Sequence, residues 1–166
     1  MKIFDQLKTE HEELKDLLDK GESCETGERK AVLQKIENHL VPHARGEEKT
    51  LYASLLDASR SSKQHEEKVL TNEAYEEHRV AEELLKELKN MNASEQKWSG
   101  LFRVFKENIE HHIKEEEEDL FAAAKELLGE EELDQIYRVY CEVKSEYSET
   151  LPSQGQISER ASDSRL

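Results

Sequence analysis

The residues best suited to chemistry are histidines and glutamates spaced four apart. His43 is followed by Glu47 and His112 by Glu116 at that interval. Side chains so spaced share one face of a helix, so each pair can reach a common point. The two segments also match beyond the pair. His43-Ala-Arg-Gly-Glu47-Glu48-Lys-Thr-Leu51-Tyr52 and His112-Ile-Lys-Glu-Glu116-Glu117-Glu-Asp-Leu120-Phe121 both read H-x-x-x-E-E-x-x-L-[YF]. Each is preceded, at nearly equal distance, by a further related segment. These are His11-Glu-Glu-Leu-Lys-Asp-Leu-Leu and His78-Arg-Val-Ala-Glu-Glu-Leu-Leu. Two copies of one metal half-site would look like this, since imidazole and carboxylate suit iron, manganese or zinc.

The decisive question is whether these residues lie on buried faces. One apolar stripe runs Ile3, Leu7, His11, Leu14, Leu18, and a second runs Val32, Ile36, Leu40, His43, Glu47, Leu51, Leu55. A third runs Leu70, Ala74, His78, Ala81, Leu85, Leu88, and a fourth Trp98, Phe105, Ile109, His112, Glu116, Leu120, Leu127. In every stripe the histidine or glutamate replaces an apolar core residue. Buried carboxylates are paired or bound to metal, and no Lys or Arg falls in these stripes to pair with them. A pair of metal cations would satisfy all six. A lone H-x-x-x-E says little in a chain with 39 acidic residues; the duplication is what carries the reading. His65 and His111 fall off the inward faces and read as surface residues. His39, at the edge of the second stripe, is a candidate for an extra ligand.

These residues need long helices to hold them. The chain has 166 residues, enough for one domain, and is 38% charged with 6 glycines and 2 prolines. The apolar spacing predicts helices over about 2–20, 27–58 with an interruption at Pro42, 64–90, 94–128 and 130–147. Gly21 and Gly129 read as stops and Ser94 as an N-cap. The expected fold is all-α: an up-down-up-down four-helix bundle with an additional C-terminal helix, within a domain spanning 1–147. Residues 148–166 are polar and read as a disordered tail.

Charge and cysteine usage narrow the function classes. Lys plus Arg total 24 against 39 Asp plus Glu, a formal charge of −15. Such a surface repels phosphate backbones and anionic lipid headgroups, so nucleic acid and membranes are poor partners. Cys24 and Cys141 form neither a CxxC motif nor a disulfide framework. Cys24 lies in an acidic turn that disfavours a thiolate, and Cys141 reads as packed beside the last helix's apolar face. No signal peptide or membrane span is evident, which suits a cytoplasmic protein.

The six residues and their duplicated motifs resemble the hemerythrin-like (HHE cation-binding) family over about 1–128. That resemblance implies a non-haem di-iron centre: His11 and His43 on one metal, His78 and His112 on the other. Glu47 and Glu116 would bridge them, with an oxo or hydroxo bridge completing the core. Zinc and manganese are the alternative metals. The ferritin-like di-iron bundles use E-x-x-H motifs, and none of the seven histidines here has Glu three residues before it. The family's oxygen carriers have a further His four residues before the third-helix ligand, where this chain has Ala74. They also end in H-x-x-x-x-D, where this chain has H-x-x-x-E. Both metals would then keep an open position, with Gly46 leaving room for a small ligand. The expected function is binding of, or reaction with, O2, NO or peroxide. A metal-storing or iron- and oxygen-sensing protein acting through an unidentified protein partner is the alternative, and a metal-free helical interaction module is a third.

Overall fold

The computed structural model describes residues 2–60, 65–94 and 96–151, and among them there is no strand. Helix α1 spans Lys2–Ser23 and α2 spans Arg29–Glu47, after a 3-10 turn at Thr26–Glu28. A π-helical turn at Glu48–Tyr52 carries α2 into α3, Ala53–Ala58. Helix α4 spans His65–Asn90 and α5 spans Gln96–Glu115. A second π-helical turn, Glu116–Leu120, carries α5 into α6, Phe121–Leu127, and α7 spans Glu130–Thr150. The fold is all-α as expected, with α1 packed on α2 and α5, α4 on α5 and α2, and α7 along α2 and α1. None of the described helices is long and apolar enough to cross a membrane.

Four local expectations change. Helix α1 does not stop at Gly21 but runs on to Ser23. Gly21 is there for space: a Cβ would lie 2.2 Å from Cζ of Phe102. Pro42 does not interrupt α2, which continues through it. The hydroxyl and backbone N–H of Ser94 turn back to Oδ1 of Asn92 at 3.0 and 3.1 Å. Helix α7 runs to Thr150, so the first residues assigned to the tail are helical. Residues 152–166, the remainder of that tail, lie outside the described residues.

The apolar core forms two clusters, one at each end of the bundle. One gathers Ile3, Leu7, Leu51, Leu55, Phe121 and Tyr140 with their neighbours. The other gathers Leu14, Leu18, Ile36, Leu85, Phe102 and Phe105 with theirs. Between them, at residues 11, 43–47, 78 and 112–116, the stripes carry a buried polar layer instead of hydrocarbon. The stripes drift slightly from expectation: Leu33 and Leu128 are buried, whereas Val32 and Leu127 are only half-buried.

Candidate metal centre

All six residues proposed from the stripes point into this layer, each at most 6% exposed. Ligand atoms of His11, His43, Glu47 and Glu116 lie within 4.8 Å of one another, as do those of Glu47, His78 and His112. Glu47 therefore joins two groups. Its Oε1 lies 3.2 Å from Nε2 of His43 and 3.9 Å from Nε2 of His11, and its Oε2 lies 3.4 Å from Nε2 of His78. Oε2 of Glu116 lies 3.1 Å from Nε2 of His11. Across the layer, Nε2 of His78 and Nε2 of His112 are only 3.0 Å apart.

The orientation of the rings is more telling than their proximity. Each of the four histidines turns Nε2 inward and gives Nδ1 to a carboxylate. His11 donates to Glu117 at 2.8 Å and His43 to Glu10 at 2.9 Å. His78 donates to Glu48 at 3.2 Å and His112 to Glu77 at 2.8 Å. An imidazole whose Nδ1–H is committed to a carboxylate presents the Nε2 lone pair, the arrangement that orients histidine for a metal. The carboxylates form a closed ring: α1 serves α2, the π-helical turn after α2 serves α4, α4 serves α5, and the π-helical turn after α5 serves α1.

These outer carboxylates were not assigned from sequence, although the repeat contains them. Glu48 and Glu117 are the second glutamates of the two E-E pairs, and Glu10 and Glu77 immediately precede His11 and His78. A residue adjacent to a ligand points about 100° round the helix, toward the neighbouring helix's histidine.

The π-helical turns begin just after Glu47 in the first copy and at Glu116 in the second. An i→i+5 turn widens the helix and often marks a functional site. Thr50 supports the first one, its hydroxyl donating to the Gly46 carbonyl at 2.6 Å. Tyr52 thereby enters the layer, fully buried, its hydroxyl donating to Oε1 of Glu116 at 3.0 Å and lying 3.5 Å from Nε2 of His78 and of His112. The second copy has Phe121 at the equivalent place, its ring stacked on His11 at 6.3 Å. The two halves of the centre thus share their histidines and glutamates but not their fifth neighbour.

Other expected participants lie elsewhere. His39 gives Nε2 to Glu13 at 3.1 Å and belongs to neither ligand group. His65 and His111 are exposed as expected. Gly46 leaves no room for a ligand, because the ring of Tyr140 fills its space; a Cβ there would lie 2.5 Å from Cε2 of Tyr140. Ala74 is packed in the apolar cluster that includes Tyr52, and the hydroxyl of Tyr75 is committed to the Glu48 carbonyl at 2.7 Å. Cys141 is exposed rather than packed, and burial raises the pKa of Cys24.

The electrostatics show what the layer lacks. Burial and the facing carboxylate of Glu116 push Glu47 well above the usual carboxylate range. Burial also opposes ionisation of Glu116, but His11 outweighs it and holds that carboxyl low. Burial disfavours a charge on His11, yet the facing carboxylates of Glu116 and Glu47 raise its pKa to about 10. Burial lowers His43 to about 3. Nε2 of His11, both oxygens of Glu47 and Oε2 of Glu116 are buried without a hydrogen-bond partner. Buried polar atoms are seldom left so, and a cluster of them around one point fits a cation. The donor set of imidazole nitrogens and carboxylate oxygens fits iron, manganese or zinc.

No curated protein and no solved structure matches the chain. The family model of the hemerythrin HHE cation binding domain matches residues 2–124, a span holding all six inward residues, and the chain belongs to that family.

Proposed function

We propose that the chain is a non-haem di-iron protein whose centre binds or reacts with O2, NO or peroxide. The observation that carries this reading is the convergence of four Nε2 atoms, each ring oriented by its own carboxylate, on glutamate oxygens without partners. His11 and His43 would hold one ion, His78 and His112 the other, with Glu47 and Glu116 shared. The ion pair would supply Lewis acidity and electrons to a small bound molecule.

The protein's own groups set the terms of that chemistry. Apolar clusters above and below the layer exclude bulk water, which strengthens every charge interaction inside. Tyr52 places one hydroxyl on the His78/His112 side. Burial and the neighbouring Glu116 and Glu47 raise its pKa well above 10, so it remains a proton donor. A small apolar pocket of about 10 Å³ lies against His43, His78 and His112, between Leu14, Leu40 and Ile109. It has room for about one water molecule, so only the smallest ligands would approach the histidines from this side. The larger surface grooves are lined by other residues, such as Thr50 and Ile136 or Val41 and Lys89.

The test is metal content and absorption of protein purified from iron-replete cells, followed by exposure of the reduced protein to O2, NO and peroxide. Two irons per chain, with near-ultraviolet charge-transfer bands that change on exposure, are expected. One metal or none after reconstitution would overturn the reading. An iron pair whose spectrum ignores all three molecules would favour metal storage.

A further inference from the structure

The internal repeat aligns Pro42-His43-Ala-Arg-Gly46-Glu47 with His111-His112-Ile-Lys-Glu115-Glu116. The inward residues agree, but the outer faces of the two halves do not. Behind His43, Gly46 opens a gap that the ring of Tyr140 from α7 fills. Through this gap the Tyr140 hydroxyl donates to Oε2 of Glu10 at 2.6 Å and lies 3.0 Å from Nδ1 of His43. Nζ of Lys144, one turn further along α7, lies 2.7 Å from Oε1 of Glu10. Gln6 donates to that same oxygen at 2.6 Å. Both oxygens of Glu10 are thus engaged, and Glu10 and Tyr140 are buried.

Behind His112 the arrangement is looser. Glu115 stands where the first copy has Gly46. Glu77, which holds His112, also lies near the exposed His111, at 3.7 Å. Glu77 is partly exposed, whereas Glu10 is 1% exposed. Helix α7 also lies beyond the 2–124 span that matches the family model.

We infer that α7 makes the two ion positions unequal: Tyr140 and Lys144 fix Glu10, Glu10 fixes His43, and the His11/His43 ion is the one held slowly exchanging. The His78/His112 ion is the exchangeable one. This rests on the two-metal reading above. Release requires both rings of an ion to detach, so the more firmly held ring sets the rate. His43 can do so only by breaking its bond to a carboxylate that three other side chains hold in place. On the other ion His112 need only separate from the partly exposed Glu77, and His78 from the partly exposed Glu48, which Arg45 also binds at 2.7 Å. Removing a group that orients a metal-binding histidine typically costs 10–100-fold in affinity.

The experiment loads the chain with Co(II), confirms two ions per chain, and follows release to excess chelator. The wild type should release in two phases of equal amplitude. After the fast phase, the hyperfine-shifted ring N–H signals of His78 and His112 should be gone and those of His11 and His43 retained. Y140F keeps the ring that fills the Gly46 gap and loses only the hydroxyl. It should accelerate the slow phase about 10–100-fold and leave the fast phase alone, as should K144M to a smaller degree. E77Q should accelerate only the fast phase. A single phase in the wild type, first loss of the His11/His43 signals, or equal acceleration of both phases by Y140F would overturn the inference. Failure to bind two ions before chelator is added would instead show that the two-metal reading had failed.

Discussion

Metal binding to this centre should expel protons, and the structure gives the count. At pH 7 His11, with its pKa raised to about 10, is protonated in the metal-free protein. Burial and Glu116 also push Glu47 well above the usual carboxylate range, which adds to the competition with a cation. A cation cannot share Nε2 of His11 with its proton, so loading should release about one proton per chain from His11. A hydroxide bridge would raise that count and could not lower it. The competition from His11 alone spans three decades between pH 7 and its pKa of about 10, a penalty of about 4 kcal/mol on apparent binding at pH 7. Affinity should therefore climb roughly tenfold per pH unit over that range from His11. Zinc is the suitable probe because it adds no redox step. Calorimetric titration in two buffers of different ionisation enthalpy gives the proton count directly. Zinc binding that releases no protons and keeps the same affinity from pH 7 to 9 would refute the assignment of His11 to the centre.

The same groups set the stability of the metal-free fold. Because the folded pKa of His11 is raised, its stabilisation is complete below pH 6.5 and is lost as pH rises toward 10, by as much as about 5 kcal/mol. Urea melts of metal-free protein should show this alkaline loss, while the loaded protein resists it; equal slopes in both forms would contradict it. Glu47→Ala or Glu116→Ala should abolish both ions by elemental analysis, whereas His11→Ala should first lose the ion shared with His43 and His65→Ala should lose neither. Tyr52→Phe leaves Oε1 of Glu116 without its donor and should cost the metal-free protein about 1–3 kcal/mol, read from its melt. An unchanged melt would mean that this hydroxyl is not needed to satisfy Glu116.

The bundle was legible because amphipathic periodicity reports burial, and burial is what fixes helix faces. The stripes placed all six inward residues in the core, although each interrupts a run of hydrocarbon. What periodicity could not convey was the reason for individual glycines. Gly21 and Gly46 look like stops or flaws in a helical pattern, and a glycine in mid-helix costs about 1 kcal/mol relative to alanine. Both are instead notches for an aromatic ring from a distant segment, Phe102 in one case and Tyr140 in the other. Neither partner is near in sequence, so no local rule could pair them. The π-helical turns were equally hidden, since a single widened turn leaves the apolar spacing almost unaltered.

The ring of outer carboxylates was hidden for a different reason. Among 39 acidic residues, most of them solvated, nothing in the chemistry of Glu10 or Glu77 distinguishes it from its neighbours. The repeat distinguishes them: Glu precedes His at 10–11 and at 77–78, and a second Glu follows the inner one at 47–48 and at 116–117. A duplication preserves whatever both halves need, so the shared residues describe the centre and the unshared ones describe its asymmetry. On that logic Tyr52 against Phe121, and Gly46 against Glu115, are the positions where the two halves of the centre part company. The first gives one half a hydroxyl that reaches Glu116 and two histidines. The second admits a helix to the other half and fixes its histidine. One side of the centre thereby has a buried hydroxyl, while the other has a histidine whose carboxylate is held by three further side chains. The proposed two-ion centre would use this inequality if one ion met the small molecule and its neighbour stayed in place.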